Sequence, residues 1–572
     1  MPQQYKWPSW PQWKQLPKVL EKNELYFVLG LSALILSSGI GWIWYWRVQN
    51  TVVIPNYGGE YSEAIIGSPQ FINPILISAN DADRDLSALI YSGLTKYEGN
   101  GNIVPDLAES YEISGDGLAY TFHLRKDVKW HDGEKFSADD IIFTVNAILN
   151  SDYGSPLRLN WQGVDVEKQD DHTVVFKLSK PHFQFIEKTA IGILPRHIWE
   201  AIDPKNINLA DANLKPIGTG PFVFSKFTKD KLGNIISYTL NANENFYNGK
   251  PYLASVSLYF YEDEEKALDA YKSGDVTGLS YIAPKNKDRA GKYSGNIYTL
   301  AMPKYFSVFF NQNKSKALSD KNVRAAFLYA TDKKEIKSSV LKNNAELVDS
   351  PILPWLPDYN NNIKKYEFST EEAVKILEES GWKDKNNDGV REKTIGNDKG
   401  PTDLEITLTT SDFPDHAQAA EILQKQWAKI GAKINLESYT IDELKQKIIK
   451  QRNYDALIFG EVLSQNPDPY VFWHSSQKKD PGLNLAVYDN KNADQLLEAA
   501  REAKSYEEHK AALAKFQEII MEDAPTLFLY SPHYLYAANR KVKGISAKNI
   551  NVPARRFSGI EKWHIKTQRI RK

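Results

Sequence analysis

The sequence of 572 residues contains no cysteine and has no excess of charge of either sign. Without thiols the chain cannot form disulfides, thiolate metal sites, iron–sulfur clusters or cysteine nucleophiles, and it cannot carry a lipid through cysteine. Lysine and arginine number 71 against 72 acidic residues, which gives a net charge of -1. Because no overall basic field attracts a phosphate backbone, we expect no nucleic-acid partner.

Motifs of the common catalytic and nucleotide-binding sites are also missing. The sequence has no G-x-S-x-G, no H-E-x-x-H and no G-x-x-x-x-G-K. The loop Asp384 to Gly389 imitates the start of a calcium site, but Ile395 replaces the expected glutamate, so a polar turn is favoured. The ten histidines show no ligand spacing, which leaves a metal site assembled across the fold as the less favoured alternative. We therefore predict no enzyme activity, no cofactor and no metal.

Long hydrophobic runs are absent except for one near the N-terminus. Residues 25–46 form 22 consecutive positions without a charge. As a helix they span roughly 33 Å, enough for the ~30 Å hydrocarbon core of a bilayer. Trp42, Trp44 and Trp46 gather at the C-terminal end, where indole rings favour the membrane–water boundary. Lysines outnumber acids before the run, which predicts a cytoplasmic segment 1–24 and an extracytoplasmic remainder.

Two other interpretations of this run are a cleaved signal peptide and a buried helix of a globular domain. A signal peptide has a shorter apolar region of about 7–15 residues that is followed by small residues. A globular helix is apolar on one face only. We therefore predict an uncleaved single-pass anchor, with the bulk of the chain at the cell surface or in the periplasm.

The region after the anchor has the patterns of an α/β protein. Tyr120 to Arg125 alternate as in a half-buried strand, and Ser137 with Asp140 predict the capped start of a helix. A strand, a helix and a strand are predicted between Leu404 and Leu436, with Gly431 ending the helix. Ala493–Asp523 predict one or two helices, and the basic residues 562–572 predict a frayed tail.

Several segments resemble, in order, the extracellular solute-binding proteins of bacterial ABC importers, family five, which bind peptides or nickel. The strongest is AYTFHLRKDVKWHDGEKFSADDIIFTVNAIL, from Ala119 to Leu149. The other matching segments are Ile217–Phe222, Asn245–Pro251, Phe309–Asn311, Asp320–Asp332, Ala373–Trp382 and Pro467–Tyr470. The resemblance extends over roughly residues 65 to 545.

The resemblance implies a periplasmic-binding-protein type II-like α/β fold, with two hinged lobes and an extra domain, here preceded by one transmembrane helix. The implied divisions are lobe I from 52–92, 201–300 and 524–562, an additional domain from 93–200, lobe II from 301–523 and a basic tail from 563–572. The chain is then expected to cross the hinge near residues 300 and 523.

The resemblance also implies a function without catalysis. The expected role is that of a membrane-tethered, monomeric substrate-binding subunit that captures peptides between its lobes and delivers them to an ABC permease. A peptide-sensing receptor without transport is the alternative, and an extracellular hydrolase is less favoured because no nucleophile or carboxylate pair is evident.

Candidate ligand-binding residues follow from the same resemblance and from aromatic side chains that flank polar residues. They are Gln465, Asn466, Trp473, Phe310, Asn311, Trp161, Tyr530 and Tyr534. Peptide-binding relatives commonly carry an aspartate for the ligand's α-ammonium where this chain has Gln465 or Asn466. Either the ligand has no free amine, or another carboxylate such as Glu461 replaces the aspartate.

Overall fold

The computed structural model describes residues 7–77, 80–182, 184–293, 295–396, 400–463 and 467–572. The apolar run lies within one helix, Lys22–Gln49, which has no buried residue. Among the described residues, it is the one helix long and apolar enough to cross a membrane. A helix that is apolar on every side and touches no core does not fit the alternative of a buried globular helix.

The first large sheet combines strands from distant parts of the chain. In spatial order its described strands are Gly295–Leu300, Tyr534–Asn539, Gly278–Leu279, Glu60–Ile66, Ser255–Tyr261, Ile235–Ala242 and Phe222–Lys229. We call it the seven-stranded sheet. Glu60–Ile66 is parallel to both of its neighbours, and the other pairs are antiparallel. Helix Glu264–Ser273 covers one side of Glu60–Ile66.

The second large sheet contains the predicted strand–helix–strand unit. In spatial order its described strands are Ala345–Leu347, Thr526–Pro532, Lys304–Phe310, Ala456–Val462, Glu405–Ser411 and Lys433–Tyr439. We call it the six-stranded sheet. The unit is confirmed, because helix Pro414–Ala428 connects the parallel strands Glu405–Ser411 and Lys433–Tyr439. Gly431 follows this helix with a φ of 81°, a conformation that glycine adopts without strain.

A smaller, four-stranded sheet lies earlier in the chain, and we call it, with the helices from Ala138–Leu149 to Arg196–Trp199, the additional domain. Its described strands, in spatial order, are Ala108–Ile113, Ala119–Leu124, Thr173–Leu178 and Val164–Asp170. The predicted capped helix is confirmed as Ala138–Leu149. The Asp140 carboxylate accepts the Ser137 amide at 2.9 Å, and Ser137 Oγ accepts the Asp139 amide at 3.3 Å. Three short ladders complete the described strands: Thr51–Asn56 with Lys566–Arg571, Thr95–Tyr97 with Ile103–Pro105, and Glu392–Lys393 with Thr402–Asp403.

Helices pack on these sheets and connect them. The other described α-helices are Trp10–Trp13, Leu16–Val19, Asp81–Ile90, Arg158–Trp161, Phe185–Lys188, Arg196–Trp199, Lys287–Gly291, Lys316–Ser319, Lys321–Tyr329, Lys333–Ser339, Thr370–Glu379, Ile441–Glu443, Tyr470–Trp473, Lys491–Glu502 and Tyr506–Asp523. The last two confirm the helices predicted over Ala493–Asp523.

Two antiparallel runs of chain connect the two large sheets. One run passes from Gly295–Leu300 into Lys304–Phe310, and the other passes from Thr526–Pro532 into Tyr534–Asn539. They pair with each other in both sheets, since Leu300 lies opposite Tyr534 and Phe306 lies opposite Tyr530. We call the seven-stranded sheet with its helices lobe I, the six-stranded sheet with its helices lobe II, and these two runs the hinge.

The structure differs from two sequence-based expectations about the C-terminal part. The chain returns to lobe I at His533, later than the crossing expected near residue 523, because Thr526–Pro532 pairs inside the six-stranded sheet. The basic tail expected to fray is instead the strand Lys566–Arg571, which pairs along its whole length with Thr51–Asn56. Composition alone suggested a solvated end. A partner strand from the other end of the chain instead supplies hydrogen bonds to its backbone N–H and C=O groups.

A buried ion cluster joins three segments of lobe I. Arg556 donates to both oxygens of Asp85, at 2.7 and 2.6 Å, and to Glu63 Oε1 at 2.8 and 2.6 Å. The side chains of Arg556 and Glu63 are inaccessible to solvent, and that of Asp85 is nearly so. The two carboxylates hold the pKa of Arg556 well above its usual value although burial lowers it. Burial, with smaller contributions from Glu63 and Asp81, raises the pKa of Asp85 to about 6, although Arg556 lowers it.

Candidate functional site

A first cavity, of about 470 Å³, lies between lobe I and the additional domain. Its lining combines apolar rings with cations, for example Tyr91 and Trp161 with Lys96 and Arg555. The Tyr91 hydroxyl is buried and has no hydrogen-bond partner among the described residues, so a polar group can be accepted there. A concave space with apolar walls and a few polar groups is typical of sites for organic ligands.

A second cavity, of about 290 Å³, follows between the additional domain and lobe II and shares Lys188 with the first. The additional domain contributes His182 and Phe185, and lobe II contributes Tyr470 and Arg501. Burial and then Lys188 lower the pKa of His182 to about 4, so this imidazole is neutral at physiological pH. His182 therefore adds no positive charge to this cavity.

Direct contacts close the boundary beside this second cavity. Gln184 of the additional domain donates from Nε2 to the Pro467 carbonyl of lobe II at 3.1 Å. Arg501 holds Asp468 with Nε at 3.0 Å and Nη2 at 2.5 Å from Oδ2, and its guanidinium lies 3.6 Å from the centroid of the Tyr470 ring. Lobe II thus presents a rigid, stacked arginine at the edge of the cleft.

A third cavity, of about 260 Å³, lies on lobe I next to the hinge. Tyr281 and Tyr534 line it with ring centroids 5.9 Å apart, and the Tyr534 hydroxyl donates to the Ser280 carbonyl at 2.6 Å. Asp81 and Asp85 complete its acidic side. The first two cavities thus lie where the additional domain borders lobe I and lobe II, and the third is lined by lobe I alone.

Charged groups of the two lobes act on each other across the cleft. Burial lowers the pKa of Lys304, which begins the first strand of lobe II, whereas Asp81 of lobe I raises it. Burial and then Lys304 lower the pKa of His416 to about 4. Burial raises the pKa of Tyr281 to about 12, with smaller contributions from Glu264 of lobe I and from Asp415 of lobe II. Lys304 and His416 are half-buried and Tyr281 is 38% exposed, so the groups at this border keep partial contact with solvent.

Glu461, the carboxylate proposed as a substitute for the missing aspartate, lies in the six-stranded sheet. It is 4% exposed, and its Oε2 accepts the hydroxyl hydrogen of Tyr305, the residue directly opposite on the neighbouring strand. Its Oε1 has no hydrogen-bond partner among the described residues. Burial raises the pKa of Glu461 to about 8, although the hydrogen bond from Tyr305 lowers it. At neutral pH this carboxyl is protonated and supplies no countercharge.

Three of the predicted site residues lie in the hydrophobic core of lobe II. The Phe310 ring is 6.1 Å from that of Phe327, and the Trp473 ring is 5.8 Å from that of Phe528. Tyr530 packs on Phe306 at 5.5 Å, and all three predicted residues are at most 2% exposed. Phe306 in turn contacts His416 at 4.7 Å, so Tyr530 is one ring removed from the cleft.

The other described site residues lie in different surroundings. Asn311 is 3% exposed and donates from Nδ2 to the Arg452 carbonyl at 3.0 Å, which fixes the end of its strand. Trp161 packs on Phe185 and lines the first cavity, and Tyr534 lines the cavity at the hinge. Gln465 and Asn466 lie outside the described residues. The structure brings Trp161 and Tyr534 to the cleft boundaries, and ligand contact by all eight residues stays a prediction.

Metal ligands are not clustered in the part of the chain that the structure describes, where no group of three or more His, Asp or Glu side chains could hold an ion. In the calcium-like loop, Asp384 and Asn386 instead accept backbone amides of Asp388 and Gly389 at 3.0–3.2 Å. This is the polar turn favoured from the sequence.

Sequence patterns did not reveal several groups that the fold brings to the cleft. Lys304, His416 and Arg501 have no distinctive local sequence, and they become neighbours of the cleft only through strand and helix packing. The sequence offered one signal for the hinge, which is Pro303. A proline at this position interrupts a strand just before Lys304.

Comparison with known proteins places these features in a family. The family model for bacterial extracellular solute-binding proteins, family 5 (middle part), matches residues 102–504. The oligopeptide-binding protein AppA of Bacillus subtilis (strain 168) is 32% identical over 520 residues, which cover 89% of this chain and 92% of the relative. The dipeptide-binding protein of Escherichia coli (strain K12) is 26% identical over 504 residues, covering 84% and 90%.

Solved structures agree with this placement. AppA from Bacillus subtilis in complex with a nonapeptide matches with a TM-score of 0.70 and 30% identity, covering 90% of this chain and 100% of that chain. NikZ from Campylobacter jejuni in complex with Ni(L-His) matches with a TM-score of 0.72 and 28% identity, covering 88% and 99%. The predicted two-lobe α/β fold is thereby confirmed. The chain belongs to the bacterial extracellular solute-binding proteins of family 5.

Proposed function

We propose that this protein captures peptides in the cleft between its lobes and delivers them to the permease of an ABC importer. The observation that carries the proposal is the hinge, in which two paired runs of chain connect the two large sheets, with cavities where the additional domain borders each lobe and on lobe I beside the hinge. The kinship with oligopeptide- and dipeptide-binding proteins supports peptides as the ligand class.

The hinge supplies the mechanism. Only Ala301–Pro303 and His533 separate the strands of one sheet from those of the other, so bending these residues moves the lobes as rigid bodies. A ligand that contacts both lobes favours the closed state by the difference between its affinities for the closed and open forms. The permease then recognises closure, and the peptide leaves chemically unaltered. Glu461, a carboxyl whose pKa burial raises to about 8, is sealed in a sheet, which fits a role without catalysis.

We further propose that helix Lys22–Gln49 remains attached and anchors the protein on the outer side of the membrane. Its 28 residues extend about 42 Å, and none is buried against the rest of the chain. The first strand of the outer region begins after a single residue, Asn50. An anchored receptor stays at high effective concentration next to its permease, which is the role that a lipid serves in cysteine-carrying relatives.

The ligand class is tested with the full chain purified in detergent. We expect native mass spectrometry to detect co-purifying peptides, and X-ray scattering to show a smaller radius of gyration when peptide is added back. At a free concentration 100 times the Kd, peptide should stabilise the protein by about 2.7 kcal/mol. Free amino acids of the same composition are the matched control. Equal shapes and melting temperatures with and without every peptide tested contradict the proposal.

A second prediction concerns the α-ammonium of the peptide. In the variant Gln465→Asp a new carboxylate should favour ligands with a free amine, and we expect the ratio of Kd for N-acetylated over free peptide to rise at least about tenfold. Asn466→Asp, measured in parallel by calorimetry, determines which of the two positions faces the amine. An unchanged ratio in both variants eliminates this segment as the amine site.

A further inference from the structure

The ladder of Thr51–Asn56 and Lys566–Arg571, which we call the ribbon, continues directly from the apolar helix. The Asn50 side chain donates to the Trp46 carbonyl at 2.9 Å, and the Lys572 amide donates to the Asn50 carbonyl at 2.9 Å. Arg569 donates to the hydroxyl of Thr51 at 3.0 Å. The last turn of the helix and the end of the ribbon therefore form one hydrogen-bonded unit rather than a flexible linker.

Positive charge is concentrated on this unit although the whole chain has a net charge of -1. Four exposed cations lie near the junction, namely Arg47, Arg569, Arg571 and Lys572, and a fifth, Lys566, is exposed at the far end of the ribbon opposite Asn56. Each strand residue from Lys566 to Arg571 is exposed as well. None of the five has a carboxylate within 4.0 Å among the residues that the structure describes. Their charge is thus available to an external anion.

The register fixes how far these cations lie from the end of the helix. Arg571 is opposite Thr51 and Arg569 is opposite Val53, so both lie within three residues of Asn50 along the ribbon. At about 3.4 Å per residue this is at most about 10 Å. The headgroup layer beyond the hydrocarbon core is about 5–8 Å thick on each side. With Trp46 at the core boundary, the four residues to Asn50 add about 6 Å, so the backbone of Arg571 lies about 9 Å and that of Arg569 at most about 16 Å from the core. Their long side chains extend back toward the lipid phosphates.

Exposed apolar residues accompany these arginines. Val53 lies on the same face of the ribbon as Arg569 and Arg571 and is 54% exposed. Val52 and Ile570 share the other face and are 39% and 43% exposed. A basic surface interspersed with aliphatic side chains is the composition that binds at the interface of an anionic bilayer.

We propose that the ribbon is a binding surface for the phosphate groups of anionic lipids in the outer leaflet, with Arg569 and Arg571 as its main contacts. The inference rests on the anchor proposed above and deepens it. Lipid binding at the ribbon restricts the orientation of the lobes relative to the membrane, which a flexible attachment would leave free. A permease that must meet a closed cleft then encounters it in a restricted set of orientations.

The experiment uses the full chain reconstituted into lipid nanodiscs. Because the sequence has no cysteine, Gln568→Cys provides a single site for a spin label on the ribbon. The readout is relaxation of that label by nickel chelated to lipid headgroups, in discs of phosphatidylcholine alone and with 30% phosphatidylglycerol. We expect the lipid-bound fraction to rise with phosphatidylglycerol and to fall again at high salt, since these charges are exposed to screening.

Charge variants identify the residues responsible. Each basic side chain near an anionic surface contributes roughly a fivefold factor in binding. R569Q/R571Q should therefore lower the lipid-bound equilibrium by about 25-fold, and R569K/R571K should restore most of it. The matched control K226Q/K231Q removes two exposed charges from lobe I and should change nothing.

Two failures are distinguishable. A label that responds equally in both lipids, or a control variant as strong as R569Q/R571Q, overturns the ribbon proposal while the anchor stands. The intact mass of the protein extracted from its native membrane tests the anchor itself. A mature chain that begins after residue 46 overturns the anchor and the role of the ribbon that depends on it.

Discussion

Replacing Arg556 with methionine is expected to destabilise lobe I by about 3–5 kcal/mol at pH 7.5. The substitution leaves Glu63 and Asp85 buried without their shared cation, and removing one partner of a buried ion cluster costs this much. Methionine is of similar length and is apolar, so the loss arises from the charge and its hydrogen bonds rather than from an empty cavity. The urea midpoint, followed by tryptophan fluorescence, measures the effect.

The matched control for this variant is Arg540→Met, at the exposed end of strand Tyr534–Asn539. Surface substitutions of this kind change stability by at most about 0.5 kcal/mol. The loss in Arg556→Met should also shrink at pH 5, because protonation neutralises Asp85, whose pKa is about 6. Equal urea midpoints for the two variants would contradict a structural role for the cluster.

Glu461→Gln is expected to stabilise the protein at pH 9 by about 3–5 kcal/mol and to leave it nearly unchanged at pH 4. Burial raises the pKa of Glu461 from 4.5 to about 8 in the folded state. A raised pKa gives a stability contribution that is complete below pH 4.5 and is lost as pH rises through about 8. Between these two pKa values the free energy of unfolding falls by about 1.36 kcal/mol per pH unit, because folding has to bury a carboxylate. Glutamine carries no charge, so the variant does not show this loss.

The difference between the two stability–pH curves isolates this residue from all other titrating groups. Urea unfolding at intervals between pH 4 and pH 9 provides both curves. Glu421→Gln, on the exposed side of helix Pro414–Ala428, is the control and should run parallel to the unmodified protein. Parallel curves for Glu461→Gln would mean that burial does not raise the pKa of this carboxyl and that it is ionised at neutral pH in the folded protein.

Local sequence signals predicted local structure well. Ser137 and Asp140 lie within four residues of each other, and the capping box that they form needs no information from the rest of the chain. The helix Pro414–Ala428 and its stop at Gly431 likewise follow from apolar spacing and one glycine. The apolar run was predicted for the same reason, since it lies within a single continuous helix.

Long-range pairing was not predictable from these signals. The basic end 562–572 has the composition of a solvated tail, yet its partner Thr51–Asn56 lies at the other end of the sequence. Thr526–Pro532 has the same appearance as a strand in either lobe, and only its pairing with Lys304–Phe310 assigns it to lobe II. A strand pattern specifies which face is buried but not which strand it joins.

The candidate site shows the same division. Aromatic residues beside polar ones predicted a cleft, and the structure places Trp161 and Tyr534 at its boundaries but Phe310 and Trp473 in a core. Flanking residues do not specify which way a ring points once a helix or strand is packed. Lys304 and Arg501 reach the cleft from positions that no spacing rule connects.

The sequence by itself determined that this chain has no thiol chemistry, one apolar segment of membrane-spanning length, and the ordered motifs of one binding-protein family. These properties depend on composition or on neighbouring residues, so they are readable along the chain. Only the tertiary structure decided where the lobes divide, that Glu461 is a buried acid with a raised pKa, and that basic residues from the C-terminal end lie next to the end of the apolar helix. These properties depend on burial and on contacts between residues hundreds of positions apart, which arise only when the backbone is folded.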